Sequence, residues 1–322
     1  MPSTSRAGST VSPLIEPSNS REATLDYLLN YINSDRQKFR LELEQSGTLL
    51  FRNFQINTVE QFDRFTQTVL SSRVRYRGGD ARRTLTTDYV YTSNDTSGEK
   101  YISVHNEMGY SRAHPEILIF YCKKADMIGG ETLLTDGRKI AERLSPAAAL
   151  AFALTEVTYI QNLPAQSNGA PEWPKTWAQT FESNNPDEVS RLLDKRGARF
   201  WWTPEMSLHI EETLPSVVAG AYTGVNALFC QADRWHASQH DDGTRQEILA
   251  INGSDRYHHC IFANGKEMNP DHLRELGKIK KELAIGHQWQ SGDVLLIDNS
   301  MTLHGRTPYR GLRELFVAMG KF

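Results

Sequence analysis

The sequence predicts a mainly β domain with flanking helices and a helical insertion. Short apolar segments separated by Gly, Asn, Ser or Pro dominate from residue 88 onward, helical periodicity precedes them, and helix-capping motifs mark residues 140 to about 200. A chain of 322 residues exceeds the usual domain size, but large β sandwiches with insertions reach this length as one unit. We therefore expect a disordered leader, residues 1–20, and a single domain, residues 21–322.

The N-terminal residues justify the leader and the first helices. Residues 1–20 are rich in Ser, Thr and Pro and lack the apolar core of a secretory signal. Helical spacing of apolar residues predicts a helix from about 20 to 44, and GTLLFRNF after it reads as a strand. Thr58 followed by Gln61 has the form of a capping box, which predicts a second helix.

The central and C-terminal segments justify the sheet. DYVYTS, KYISVHNEM, EILIFYC and GETLLTD are strand-like, and EILIFYC is apolar at successive positions, as expected for a strand covered on both faces. Ser145-Pro146 and Asn185-Pro186 match an N-cap followed by proline, so we expect a helical insertion over about 140–200. Strands return at VVAGAYT, ALFCQ and HCIFANG, a helix follows at about 271–284, and GDVLLIDN, MTLHGRTP and LRELFVAMG close the sheet.

Composition excludes several classes of function. The net charge of −3, with 23% charged residues, gives no reason to expect nucleic acid as a partner. No apolar run approaches the roughly 20 residues that cross a bilayer, so we expect no membrane association. Three widely spaced cysteines make a poor disulfide framework, which favours the reducing cytoplasm.

The stretch HNEMGY, residues 105–110, suggests a metal site. Alternate strand residues share a face, so His105 and Glu107 would point at one spot. A second imidazole would complete the ligand set of mononuclear non-haem iron(II) enzymes, and His304, after a turn and beside a glycine, is the best candidate. Three protein ligands leave positions open for a bidentate cosubstrate and dioxygen. The alternative is a polar pair on a solvent-facing strand.

Arg313 and Thr132 are candidates for binding an anionic cosubstrate. In a strand, Arg313 would share an apolar face with Leu315, Val317 and Met319. A charge buried there without a partner would cost several kcal/mol, so we expect an anionic partner, which a guanidinium can bind bidentately. An internal salt bridge to a core glutamate is the alternative. The Thr132 hydroxyl could bind the same carboxylate or serve only in a cross-strand contact.

Five stretches occur in a characteristic order: VYTSND, HNEMGY, GGETLLTD, WQSGDVLLIDN and HGRTPYRGLRELFVAM. In this combination the chain resembles the iron(II)- and 2-oxoglutarate-dependent dioxygenases of the taurine dioxygenase type, and within them the syringomycin-type amino-acid hydroxylases of specialised metabolism. The likeness runs from about Gly47 to the C-terminus. It implies a jelly roll, the double-stranded β-helix, with helices outside and the insertion over its open mouth.

The resemblance also implies roles for individual residues. His105, Glu107 and His304 would bind iron(II), and Arg313 and Thr132 would hold the distal carboxylate of 2-oxoglutarate, with O2 as the second cosubstrate. Three further residues would brace the site or contact substrate: Arg306, Gln231 and Asn94.

The implied reaction is hydroxylation of an unactivated C–H bond of an amino acid, free or presented by a carrier protein, in a biosynthetic pathway such as that of an antibiotic. Desaturation and cyclisation use the same ligands and remain open. Glu107 stands where the family often has aspartate, and related halogenases have Gly or Ala there, so hydroxylation or desaturation is favoured. Cys230 stands where an asparagine is expected before Gln231, which affects substrate contacts rather than iron binding.

Three alternatives come from other classes. A jelly-roll module without iron would only bind a ligand. His236 and His240, four residues apart, could serve a zinc hydrolase if they lay on a helix, although the glutamate typical of such motifs is absent. RVRYRGGDARR, residues 73–83, could bind nucleic acid, a substrate carboxylate or a carrier protein, and we interpret it as a solvated loop.

Overall fold

The structure is a computed structural model that describes the strand Ser3–Ser5 and residues 12–166, 175–240 and 257–322, with the single positions 243 and 246. Strands dominate the described residues, and helices lie mainly before the sheet and between residues 137 and 196.

The strands are β1 (Ser3–Ser5), β2 (Leu14–Glu16), β3 (Thr48–Phe51), β4 (Ser72–Arg73), β5 (Val90–Thr92), β6 (Ile102–His105), β7 (Ile117–Gly129), β8 (Thr132–Asp136), β9 (Val157–Leu163), β10 (Arg199–Trp202), β11 (Leu208–Leu214), β12 (Val217–Ala219), β13 (Asn226–Leu228), β14 (His258–Phe262), β15 (Ile285–His287), β16 (Val294–Asp298), β17 (Thr302–Arg306) and β18 (Tyr309–Lys321). The helices are α1 (Leu25–Ser34), α2 (Arg36–Ser46), α3 (Val59–Val69), α4 (Gly137–Arg143), α5 (Pro146–Leu154), α6 (Trp177–Phe181), α7 (Pro186–Arg196), α8 (Ala232–Trp235) and α9 (Pro270–Glu282).

Two sheets enclose the core. The larger has the order β1-β2-β3-β16-β7-β18-β4, with β5 also paired to β18, and the smaller has the order β15-β8-β17-β6. Phe120 of β7, Leu295 of β16 and Leu303 of β17 belong to one buried cluster between the sheets. The predicted mainly β architecture is confirmed.

Strand β7 is covered on both faces, as its continuous apolar run predicts. Leu118 and Phe120 face the cluster between the sheets, whereas Ile119 and Tyr121 join a second cluster with residues of α1, α2 and α3. Alternate residues of a strand point to opposite faces, so a strand packed on both sides needs apolar residues at every position.

The N-terminal helices follow the predicted pattern with one interruption. The predicted helix from 20 to 44 is divided into α1 and α2, because the Asp35 side chain accepts a hydrogen bond from Lys38 N and caps α2. The capping box of α3 is present: Gln61 N donates to Thr58 Oγ1 at 3.2 Å, and the Gln61 side chain accepts from Thr58 N at 3.3 Å.

The predicted disorder of residues 1–20 is wrong for residues 12–20. Strand β2 pairs in parallel with β3 and antiparallel with β1, and Leu14 and Ile15 are buried. These two apolar side chains pack into the two core clusters, which offsets the entropy of ordering the segment. Residues 1–2 and 6–11 of the leader lie outside the described residues.

The predicted helical insertion is partly wrong. Helices α5 and α7 begin as expected, with Ser145 and Asn185 as N-caps and proline in the first turn. Between them lies strand β9, whose residues alternate between buried and half-buried. It belongs to a third sheet of order β10-β11-β9-β14. The period-2 pattern of VTYIQNL carried this signal, which the capping motifs on either side obscured.

Among the described residues, no helix combines the length and apolar composition needed to cross a membrane.

Candidate active site

The structure brings together the three residues of the predicted metal site. His105 ends β6 and is the cross-strand partner of His304 in β17, and the two ring centroids lie 4.6 Å apart. One ligand atom each from His105, Glu107 and His304 lie within 4.8 Å of one another, with His304 Nε2 3.6 Å from Glu107 Oε2. Two imidazoles and a carboxylate in this arrangement fit the three-ligand iron(II) site with open positions.

The local chain explains how these side chains meet. Strand β6 ends at His105, so Glu107 lies in the following turn rather than in the strand, and that part of the prediction is wrong. Met108 has φ 51°, which marks the change of direction. Beside His304, a Cβ on Gly305 would lie 2.5 Å from Ile102 O, so glycine permits the close approach of β17 to β6.

The orientation of His105 suits metal binding. Its Nδ1 lies 2.9 Å from Ser103 O, and donation of this N–H leaves the Nε2 lone pair for a ligand. Burial lowers the pKa of His105 well below its usual value, and the charges of Arg234 and His304 add to the effect. The neutral ring is the form that binds a metal. His304 Nδ1 has no hydrogen-bond partner among the described residues.

Glu107 is held by two side chains that the sequence analysis did not assign to the site. Arg83 Nη2 donates to Glu107 Oε2 at 2.5 Å, and Tyr76 Oη donates to Oε1 at 3.0 Å. Burial alone would raise the pKa of Glu107, but Arg83, His304 and His105 keep it below its usual value. A carboxylate oxygen has more than one lone pair, so Oε2 can serve both Arg83 and a metal.

A cavity of about 430 Å³ opens beside the two histidines. It contains the predicted cosubstrate residues Thr132 and Arg313 as well as His105 and His304. The other residues of its wall are Ala81, Arg83, Ser93, Asn94, Ile102, Phe120, Gly305 and Arg306. Its wall therefore joins two predicted metal ligands to both predicted cosubstrate residues.

Arg313 has no carboxylate at ion-pair distance among the described residues. Its Nε donates to Gly130 O at 3.2 Å and its Nη1 to Ser93 Oγ at 3.4 Å. Burial, followed by the charge of Arg306, lowers the pKa of Arg313 to about 10. As predicted, its strand continues inward with Leu315, Val317 and Met319 in the buried cluster. No glutamate of the described residues lies at ion-pair distance from Arg313, which disfavours the alternative of a salt bridge to a core glutamate.

Thr132 and Arg306 face each other across neighbouring strands. Thr132 is buried, and its Oγ1 accepts a hydrogen bond from Trp289 Nε1 at 2.9 Å. Arg306 donates to Ser97 O at 2.6 Å and to Lys100 O at 3.0 Å, so it fastens the turn before β6.

Asn94 and Gln231 make local hydrogen bonds. Asn94 Oδ1 accepts from Thr96 N at 2.6 Å at the cavity wall. Gln231 is buried and its Nε2 donates to Asn106 O, so it supports the chain between His105 and Glu107. Its predicted contact with substrate stays a prediction.

A second histidine cluster contains residues other than those of the alternative zinc site that the sequence suggested. His236 and His240 do not lie on one helix, because α8 ends at Trp235. His236 instead meets His259, and each Nε2 lies 3.3 Å from Glu267 Oε2. Backbone N–H groups donate to Nδ1 of both rings, at 3.2 and 3.3 Å, so in the neutral rings Nε2 carries the proton. The hydrogen bond of His236 Nε2 to Glu267 Oε2 accounts for this carboxylate contact without a metal ion.

Arginines of the stretch 73–83 form ion pairs within the protein, so the predicted solvated loop is wrong for these side chains. Arg73 pairs with Asp63 at 2.7 Å, Arg77 pairs with Glu188 at 2.9 Å, and Arg83 is buried on Glu107. These ion pairs disfavour a free basic surface for nucleic acid.

The chain is similar in sequence to two known proteins over most of its length. The chain is 27% identical to the dapdiamide synthesis protein DdaC of Enterobacter agglomerans over 281 residues, 86% of this chain and 83% of DdaC. It is 26% identical to a clavaminate synthase-like protein of Arabidopsis thaliana over 287 residues, 87% of this chain and 83% of that protein.

Solved structures show the same fold at low identity. PvcB from Pseudomonas aeruginosa superposes with a TM-score of 0.54 at 14% identity, covering 99% of this chain and 91% of PvcB. An asparagine oxygenase in complex with Fe(II), 2S,3S-3-hydroxyasparagine and succinate gives 0.53 at 12% identity, covering 92% and 83%. The model of the taurine catabolism dioxygenase TauD, TfdA family matches residues 10–319, nearly the whole chain. The protein therefore belongs to the taurine catabolism dioxygenase TauD, TfdA family.

Proposed function

We propose that the protein is an iron(II)- and 2-oxoglutarate-dependent dioxygenase that hydroxylates an unactivated C–H bond of an amino acid. The observation that carries the proposal is the closeness of two features. One is the His105, Glu107 and His304 cluster, whose two histidines line the cavity, and the other is Arg313, which lies in the wall of the same cavity without a carboxylate partner among the described residues. A buried guanidinium needs an anion, and a dicarboxylate bound near the cluster would supply it.

Each residue has a defined task in this proposal. His105 Nε2, one oxygen of Glu107 and His304 Nε2 hold the iron, and the hydrogen bond of His105 Nδ1 to Ser103 O fixes the ring. Arg313 and Thr132 hold the distal carboxylate of 2-oxoglutarate. Bound iron and 2-oxoglutarate supply the oxidising chemistry, in which O2 and 2-oxoglutarate give carbon dioxide and succinate while one oxygen atom enters the substrate.

The remaining residues of the wall shape the cavity and position the metal ligands. Phe120 and Ile102 supply apolar surface beside the histidines. Arg83 and Tyr76 keep Glu107 ionised and fixed, so that the carboxylate meets the metal without rearranging. Arg306, in the cavity wall, stabilises the turn before β6 through its hydrogen bonds to Ser97 O and Lys100 O.

An amino acid or amino-acid-derived substrate fits the relatives. One structural neighbour is an asparagine oxygenase, another, PvcB, is an oxygenase from an isonitrile synthetic pathway, and a sequence relative takes part in dapdiamide synthesis. We infer a role in specialised metabolism, as in the syringomycin-type hydroxylases. Desaturation and cyclisation need the same ligands, and analysis of the product distinguishes them. The three buried, free cysteines support the reducing cytoplasm as the location.

The test is an anaerobic titration with iron(II) and 2-oxoglutarate that follows the weak visible charge-transfer band of the chelate. Glu107→Ala and Arg313→Met should lose or weaken the band, and Arg310→Gln, at an exposed position of the same strand, should retain it. A wild-type protein that forms no band would refute the proposal and favour a binding module without iron. Succinate release with candidate amino acids then tests turnover.

A further inference from the structure

The motif WQSGDVLLIDN ends in Asn299, a residue to which the proposed function assigns no task. Asn299 follows β16 and lies in the turn that leads into β17, the strand that carries His304. It is fully buried. Its backbone N–H donates to Glu116 O at 2.9 Å, which fastens this turn to the segment before β7.

The side chain of Asn299 binds the backbone of Glu107 on both sides of its Cα. The Oδ1 atom accepts a hydrogen bond from Glu107 N at 2.7 Å, and Nδ2 donates to Glu107 O at 3.0 Å. Nδ2 also donates to Pro115 O at 2.8 Å. An amide side chain has two donor hydrogens and one carbonyl oxygen, so these three contacts use both hydrogens and the oxygen at once.

A second asparagine binds the backbone of Asn299 in return. Asn106, also fully buried, donates from Nδ2 to Asn299 O at 2.6 Å. Gln231 Nε2 donates to Asn106 O and so holds the same turn from α8. Asn106 and Asn299, the asparagine pair, connect the turn after β6 to the turn before β17. The pair therefore joins the two segments of the chain that carry the predicted metal ligands.

This connection replaces the strand pairing that Glu107 lacks. The pairing of β6 with β17 holds the two histidines opposite each other, but Glu107 lies beyond the end of β6. Arg83 and Tyr76 bind its carboxylate oxygens and come from a different loop. Contacts at the tip of a side chain leave the backbone of a turn free to shift, whereas the two hydrogen bonds from Asn299 fix the main chain of Glu107 relative to β17.

We propose that Asn299 is a positioning residue for the metal centre: acting through the backbone of Glu107, it fixes the carboxylate ligand relative to His304 before the metal binds. Asn106 supports this role by holding the backbone of Asn299. Ligands that are already in place need no rearrangement when the metal binds, so the metal affinity should depend on the asparagine pair. The inference rests on the proposed function, because it takes His105, Glu107 and His304 as the iron ligands.

The test measures the affinity of the metal-free protein for iron(II) under anaerobic conditions, by competition with a coloured chelator and without turnover. Asn299→Ala removes three side-chain hydrogen bonds, and Asn106→Ala removes one. Glu107→Ala shows whether the measured iron is bound at the predicted site. Asn185→Ala is the matched control, because the Asn185 side chain also accepts from two backbone N–H groups, but at the start of α7 and outside the cavity wall. Urea unfolding of each metal-free variant measures its stability.

We expect Asn299→Ala to weaken iron(II) binding by about 10- to 100-fold, the usual effect of removing a group that orients a metal ligand. Asn106→Ala should weaken it by about fivefold, since one neutral hydrogen bond is lost. Asn185→Ala should lower the urea midpoint through loss of its helix cap, yet bind iron(II) within about twofold of the wild type. A purely structural role of Asn299 would lower the urea midpoint of its variant and leave the iron(II) affinity of the folded protein unchanged.

The outcomes separate this inference from the proposed function. If the wild type binds no iron(II), or if Glu107→Ala binds it as tightly, the proposed function fails. If the wild type binds iron(II) through Glu107, and Asn299→Ala shows a cooperative urea transition and binds it equally well, the inference fails while the iron site stands. An equal loss of affinity in Asn185→Ala would also overturn the inference. If Asn299→Ala does not fold, Asn106→Ala decides: weaker iron(II) binding supports the inference, and unchanged binding overturns it.

Discussion

Replacement of Arg313 by methionine should separate the stability of the protein from its affinity for 2-oxoglutarate. The pKa of Arg313 is lowered to about 10, mainly by burial. A tenfold change in an equilibrium corresponds to about 1.4 kcal/mol, so the charge costs the ligand-free fold roughly 3 kcal/mol. Methionine removes this cost but also two long hydrogen bonds, each contributing about 1 kcal/mol.

The ligand-free Arg313→Met protein should therefore be as stable as the wild type, or more stable by about 1 kcal/mol. Its affinity for 2-oxoglutarate should fall by about 2 to 5 kcal/mol, or roughly 30-fold to several thousand-fold, because a hydrogen-bonded charge pair loses one partner. Urea unfolding of the ligand-free protein measures the first quantity, and titration of the chelate band measures the second. Arg310→Met on the exposed face of the same strand is the matched control.

A loss of more than about 2 kcal/mol of stability together with unchanged affinity would refute this reasoning. It would mean that Arg313 serves the fold and that 2-oxoglutarate binds elsewhere.

Three further predictions follow from the same contacts. Arg83→Met should destabilise the metal-free protein by about 3 kcal/mol, because Glu107 is left buried without its ion pair. In thermal unfolding, the difference in melting temperature between the variant and the wild type should be smaller with iron(II) than without it. Thr132→Val should weaken 2-oxoglutarate binding by about 1.5 to 3 kcal/mol, or roughly 10-fold to 150-fold, in the chelate titration, since one hydrogen bond to a charged carboxylate is lost. A larger effect than that of Arg313→Met would contradict the assigned roles. Burial lowers the pKa of His287 to about 4 although Asp293 opposes this, and an unfolded histidine titrates near 6.5. Between these values the unfolded chain binds more protons, so stability should fall as the pH falls from about 6.5 to about 4. Urea unfolding at several pH values measures how much the free energy of unfolding falls over this range. The fall should be about 2 kcal/mol smaller in His287→Gln than in the wild type, and equal falls in the two proteins would disprove the linkage.

The sequence predicted the strands of the core and part of the site for physical reasons. The apolar run of β7 required a strand buried on two faces, and the alternation around Arg313 placed its charge at the end of an inward-facing apolar row. The meeting of His304 with His105 depended on the resemblance, because no local pattern indicates which strand of the chain lies beside another.

Other contacts were missed because they depend on tertiary structure. Arg83 lies in a basic loop, and its ion pair with Glu107 forms only when this loop packs against the turn that contains Glu107. His259 meets His236 from another segment of the chain, and no local sequence pattern indicates this contact. Strand β9 was missed because it lies between two correctly predicted helix N-caps.

The most direct test of the central claim is an anaerobic crystal structure with iron(II) and 2-oxoglutarate, with the metal located by its anomalous scattering at the iron edge. We expect a single iron bound by His105, Glu107 and His304, and a 2-oxoglutarate carboxylate on Arg313. Iron bound instead at His236 and His259, or 2-oxoglutarate bound away from Arg313, would contradict the account.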